Sequence, residues 1–103
     1  MKQIIILLLL IYGTTNFANP VQKDCMYKGK KLFGKVRIVQ YGEDFTVRAV
    51  TYSEDFKIQH VSYSQTECGK WQFVEYGEDF KIRFVEYSED FKVKFVEYSP
   101  GLP

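Results

Sequence analysis

The stretch Tyr76-Gly-Glu-Asp-Phe80-Lys-Ile-Arg-Phe84-Val-Glu-Tyr87-Ser-Glu-Asp-Phe91-Lys-Val-Lys-Phe95-Val-Glu-Tyr98 contains the same eleven-residue unit twice in succession. Read outward, the unit recurs through most of the chain, with Tyr41, Tyr52, Tyr63, Tyr76, Tyr87 and Tyr98 marking the beat. A repeat of this kind makes each copy one supersecondary unit packed on its neighbours. The step from Tyr63 to Tyr76 is longer than the rest. Shifting Gly34–Ser64 forward onto Gly69–Ser99 absorbs that irregularity, with 19 of 31 positions identical. The chain thus reads as two three-strand blocks, 34–64 and 69–99, within one repeat domain spanning 34–103. About 30 residues cannot bury a core alone, so the two halves form one domain.

Each unit is rich in Val, Ile, Phe and Tyr, lacks proline and is bounded by Gly/Ser-Glu-Asp, which are strand and turn signals. The expected strands are 35–41, 45–52, 56–63, 70–76, 80–87 and 91–98. Simple alternation fails in every copy at the pairs Ile38-Val39, Ala49-Val50, His60-Val61, Phe73-Val74, Phe84-Val85 and Phe95-Val96. A β-bulge at each pair restores one apolar face and coils the sheet toward a barrel. The inward set is then Val36, Ile38, Val50, Ile58, Trp71, Phe73, Ile82, Phe84, Val93 and Phe95, with the tyrosine rings also packed inward and their hydroxyls in water at the strand ends. Three-residue turns predict a six-stranded antiparallel meander of hairpins, with Tyr87 facing Phe91 and Glu86 facing Lys92. The alternative is a parallel β-solenoid. It is disfavoured because a parallel connection usually takes a dozen residues or more.

Ahead of the repeats, Met1-Lys2 and the apolar run Ile4–Tyr12 precede a small, polar stretch ending at Ala18. That is the pattern of a cleaved signal peptide over 1–18, too short to span a bilayer. Residues 19–33 form an N-terminal lead segment. Removing 1–18 takes one of the 14 basic residues and none of the 13 acidic ones, leaving a neutral chain. Neutrality argues against a nucleic-acid partner, and the basic group Lys28, Lys30, Lys31, Lys35, Arg37 reads as a solvated segment. Cys25 and Cys68, two cysteines in an exported protein, predict one disulfide and a periplasmic or extracellular location. No integral membrane insertion is expected after cleavage.

Candidate chemistry is sparse. Glu43-Asp44, Glu54-Asp55, Glu78-Asp79 and Glu89-Asp90 offer carboxylates for Ca²⁺ or glycosidic chemistry. A meander divides them between opposite ends of the sheet, which leaves them as solvated turn residues. His60 stands where the matching strand has Phe95, so a buried or half-buried structural role is expected, and no Ser or Cys motif accompanies it. Neither catalytic, cofactor nor metal residues are therefore assigned, and Cys25 and Cys68 are the sole site residues.

At the level of its repeats the chain resembles a group of small exported bacterial proteins of unknown function. The matching residues are Asp44-Phe45, Asp55-Phe56, Asp79-Phe80, Asp90-Phe91, Gly69-Lys70-Trp71 and Ser99-Pro100-Gly101. The resemblance implies export and a β-repeat fold but supplies no activity. The expectation is a non-enzymatic binding or structural module of the bacterial envelope or exterior, with a protein or surface partner. A self-assembling fibre-type subunit and a small periplasmic enzyme or inhibitor are the alternatives.

Overall fold

A computed structural model describes Asn19–Tyr63 and Thr66–Pro103. The expected signal peptide, 1–18, lies outside the described residues. A hairpin of β1 (Met26–Tyr27) and β2 (Lys30–Lys31) precedes six short strands. These are β3 (Gly34–Ile38), β4 (Phe45–Ala49), β5 (Phe56–His60), β6 (Lys70–Phe73), β7 (Phe80–Phe84) and β8 (Phe91–Phe95). Six strands occur where the repeat places them, each ending well before its tyrosine. They close into a barrel in the order β3-β6-β5-β8-β4-β7.

All six barrel pairings are parallel, so the expected antiparallel meander is wrong, and so is the solenoid. Strand length explains why. A strand of five residues advances about 17 Å, and six extended residues reach about 20 Å. Connections as short as 39–44 or 85–90 therefore return the chain to the starting end. The requirement for a dozen residues holds for longer strands. Parallel packing also gives every copy of the unit the same surroundings, which hairpins do not.

The order around the barrel follows from the repeat. Successive strands move two of the six places around, so after β3, β4 and β5 a third step of that size would land on β3. The longer link 61–69 moves the chain one place instead, dropping β6 between β3 and β5. From there β7 and β8 fill the remaining gaps, and strands of the two halves alternate around the whole barrel.

Each strand gives its first residues to one neighbour and its last to the other. Val36 pairs with both Phe73 and Phe80, and Val47 with both Phe84 and Phe91. This stagger inclines the strands and layers the interior. Val36, Val47, Ile58, Trp71, Ile82 and Val93 make the fully buried middle layer. Phe45, Phe56, Phe80 and Phe91 fill the layer below, where β3 and β6 contribute Gly34 and Gly69 instead. The Trp71 indole fills the space beside these glycines. It lies tilted against Phe56 at 6.3 Å and edge-on to Phe80 at 5.3 Å between centroids, and it donates from Nε1 to the Leu32 carbonyl at 3.0 Å.

The polarity breaks mark strand ends rather than bulges. Val39, Val50, Val61, Val74, Val85 and Val96 each donate their N–H to a carbonyl of the neighbouring strand as the last rung, for example Val85 to Val47 at 2.9 Å. Beyond that rung the chain turns back. Glycine or serine follows each described tyrosine except Tyr63 in a left-handed conformation, with φ between 53° and 76° at Gly42, Ser53, Gly77, Ser88 and Ser99. The tyrosines lie on these reversals and point outward.

The Glu-Asp pairs are not merely solvated. Asp44 donates its N–H to the Lys81 carbonyl at 2.9 Å, while its carboxylate accepts the Lys81 N–H at 2.7 Å. Asp55 clasps Lys92, Asp79 clasps Lys35 and Asp90 clasps Thr46 in the same way. At Lys57 the job passes to Gly101, whose N–H and C=O both bond to it at 2.8 Å. Nor do the pairs divide between two ends, because parallel strands bring all four to the end where strands begin.

Two outcomes follow for stability. Asp44→Ala or Asp90→Ala should lose about 1–3 kcal/mol in denaturant titration by orphaning a backbone N–H. Asp→Asn should recover most of that, and Glu54→Gln or Glu78→Gln should change little. Gly69 has φ of 85° and sits 2.5 Å (from an ideal Cβ) from the Gly101 amide nitrogen and 2.6 Å from the Lys57 carbonyl. Gly69→Ala should therefore cost about 2–4 kcal/mol, the sum of left-handed strain and a backbone clash, read as a lowered denaturant midpoint in the oxidised protein.

Candidate binding surface

The two barrel ends differ in how they are closed. At the end where strands begin, Val21, Cys25 and Leu32 are buried, and the Cys25–Cys68 disulfide ties the lead segment to the link between halves. Tyr27 stands edge-on to Phe45 and Phe91, at 5.5 and 5.0 Å, and burial raises its phenol pKa above the usual value. Leu102 packs on the same core. The expected pairing of Cys25 with Cys68 is thus present, and a disulfide beside a buried core fits an oxidising compartment.

At the opposite end the strands finish in Ile38, Ala49, His60, Phe73, Phe84 and Phe95. No segment covers this rim among the described residues. Ile38 is 52% exposed and Phe95 46%, so two expected core residues are surface residues. Phe73 and Phe84 are half-buried and pack on the core from its edge, and Val50 is also only half-buried. His60 is exposed, contrary to expectation, with its ring 5.3 Å from that of Phe73. Interior position five of each strand lies beyond the last full layer, which is why its apolar side chains reach water.

Around the barrel wall stand the six tyrosines, 66–83% exposed. The expectation that they pack inward is overturned. They follow the final ladder rung, so strand alternation no longer fixes their direction, and after Tyr41, Tyr52, Tyr76, Tyr87 and Tyr98 a left-handed residue turns the chain back. Three shallow grooves lie beside tyrosines that follow β4, β5 and β7, with different charged residues in each: Lys92 in the first, Lys70 in the second and Glu86 in the third. One holds Arg48, Ala49 and Tyr52, the next Gln59, His60 and Tyr63, and the third Arg83, Phe84 and Tyr87.

Charge in these grooves is largely paired. Arg48 donates from Nε and Nη2 to Glu89 at 3.1 and 3.4 Å. Arg83 makes the matching bidentate pair with Glu43, at 3.2 Å for both contacts. The Arg83 bond lowers the Glu43 pKa, and Glu89 is lowered first by its own backbone amide and then by Arg48. Lys70 pairs with Glu67 at 3.0 Å. Two glutamates of the Glu-Asp pairs, Glu43 and Glu89, thus hold arginines on the wall, while the aspartates hold the backbone. Among the described residues no cluster of three or more His, Cys, Asp or Glu side chains has metal-binding geometry.

No curated protein matches the chain. Residues 29–103 match the family described as the 7(1) septoil knot domain. A knotted path agrees with a chain that circles the barrel and then threads a second set of strands between those of the first, a topology that soluble domains almost never adopt. On that match, which covers the lead hairpin's second strand and every barrel strand, the chain belongs to the septoil knot domain family.

Proposed function

We propose that the protein is a non-enzymatic binding module, exported to the periplasm or cell exterior, that presents Tyr-(Gly/Ser) loops on a rigid barrel. The exposure of all six tyrosines carries this reading. Tyrosine supplies a large amphipathic contact at low entropic cost, and glycine or serine beside it adapts the loop. A neutral sequence that only needed solubility would place charged residues at these positions. The scaffold supports the display: every tyrosine loop starts at a valine rung, and the loops of Tyr41, Tyr52, Tyr76 and Tyr87 end at an aspartate clasp. The clasping aspartates are committed to the backbone, so they are not arranged for turnover. Export rests on the leader pattern of 1–18 and on the disulfide.

The experiment is retention on the native host's envelope. The exported protein and a Tyr41→Ser/Tyr52→Ser/Tyr87→Ser variant are compared for partition between envelope and soluble fractions. Far-ultraviolet circular dichroism and the melting transition serve to verify that the variant is folded. The variant should fold as well as the parent, since exposed tyrosines carry little packing energy, and should lose most of its retention. Equal partition of the two proteins would end the reading.

A further inference from the structure

We infer that copies of this protein associate head to tail, the uncovered rim of one barrel seating on the lead-segment cap of the next. The surfaces concerned are the two barrel ends, distinct from the tyrosine loops on the wall.

Because all six strands run the same way, the barrel has two chemically different ends. Where the strands finish, Phe95 lies 6.4 Å from Phe73 and 6.3 Å from Phe84 between ring centroids. Neither strand is a barrel neighbour of β8, so these rings meet across the mouth. Together with Ile38 and Ala49 they form one apolar surface that reaches water, the kind of patch that marks an interaction site.

Three exposed carboxylates surround it. Glu75, Glu86 and Glu97 each follow the last rung of a second-half strand, where the first half has Gln40, Thr51 and Ser62. Glu86 shares a groove with Ala49 and Phe84, and Glu97 shares one with His60 and Phe95. Strands of the two halves alternate, so the carboxylates fall on every second strand around the mouth. Unlike Glu43 and Glu89, none of the three is in an ion pair among the described residues. The nearest cations in sequence, Arg37, Arg48, Arg83 and Lys94, stand one residue before the rim on the outward side. Glu89 and Glu43 hold two of these, Arg48 and Arg83.

The capped end has the opposite sign. Residues 19–33 expose Lys23, Lys28, Lys30 and Lys31 against Asp24 alone, and only Lys28 is paired, to Asp90 at 3.7 Å. Half-buried Met26 and Tyr27 stand in register with Lys31 and Lys30, which sets apolar and basic groups side by side. An acidic aromatic rim therefore fits the basic hairpin of a second copy. Rim against rim would bring three carboxylates from each copy into one interface, a like-charge arrangement that suppresses the symmetric dimer. Edge pairing is unavailable, since a closed barrel has no edge strands. Head-to-tail contact uses a different patch on each partner, so each added copy leaves one end of each kind free and growth stays open. The end of a six-stranded barrel is small, which puts the contact among the weak, transient interfaces.

Sedimentation equilibrium of the oxidised exported protein, from about 10 µM to about 1 mM, reads the association. The average mass should climb with concentration past two copies, and raising salt from about 0.02 to about 0.5 M should weaken the association about tenfold. Glu75→Lys/Glu86→Lys/Glu97→Lys and Lys23→Glu/Lys30→Glu/Lys31→Glu should each stay monomeric alone and associate when mixed in equal amounts. Circular dichroism and melting verify that both are folded. Ile38→Ser/Phe95→Ser, which leaves every charge in place, should also weaken the association about tenfold. A parent that stays monomeric at about 1 mM overturns the inference. So does a mass that stops at two copies, association untouched by the charge reversals, or a mixture of the two variants that stays monomeric.

Discussion

Every barrel strand of the first half lies between two strands of the second, and the reverse holds. That interleaving is the constraint from which the other features follow. A strand from either half has no ladder partner within its own half, so neither block has a sheet until both are present. The clasps obey the same rule: Asp79 on Lys35 and Asp90 on Thr46 span 44 residues, Asp44 on Lys81 and Asp55 on Lys92 span 37. Nearly all the stabilising contacts are therefore non-local, which slows folding because closure entropy is lost before contacts compensate it. The disulfide between Cys25 and Cys68, 43 residues apart, shortens that search by joining the lead segment to the link where the second half begins. Such a loop contributes about 2–4 kcal/mol.

Much of this was legible in the sequence, and the rest was hidden for identifiable reasons. Strand positions, the halves and the disulfide follow from spacing alone. The barrel's closure was visible only as a tendency to coil. Parallel direction was not visible, because a six-residue Val-x-Tyr-Gly/Ser-Glu-Asp segment is compatible with either a hairpin or a short crossover. Strand length decides between them, and the valine after Phe84 or Phe95 looks like strand while serving as its last rung. The two extra residues between Tyr63 and Tyr76 read only as an irregularity between the halves. They are the step that keeps β6 off the place of β3.

The tyrosines show a second kind of concealment. In Phe80-Lys-Ile-Arg-Phe84-Val-Glu-Tyr87, apolarity and a bulge at Phe84-Val85 both argue for burial, yet Tyr87 is 77% exposed. Periodicity predicts side-chain direction only while the backbone stays extended, and here it turns at Ser88, with φ of 62°. The Gly/Ser that follows each tyrosine was the signal of that reversal. The aspartate clasps left a fainter one: Glu and Asp occur together in four copies, yet only Asp has a side chain short enough to bond the backbone beside its own turn. One of the two copies that lack them ends in Pro100-Gly101, and its main chain takes over at Lys57.

Why the unit stays so uniform then has a physical answer. In a meander, edge and central strands face different demands and their sequences drift apart. Closure of β3–β8 removes edges from the barrel, so every strand lies between two parallel neighbours, and β3, β4, β7 and β8 meet the same aspartate clasp. The departures fall where the symmetry breaks. Gly34 and Gly69 stand where phenylalanine would collide with a clasp or the C-terminal chain, and Trp71 beside them restores the lost volume. On the outside nothing breaks the symmetry, and there the tyrosine is retained in all six copies although it contributes no core. Strand geometry accounts for the phenylalanines, valines and aspartates of the unit. It leaves the tyrosine without a structural task, and a recognition surface is the account that gives it one.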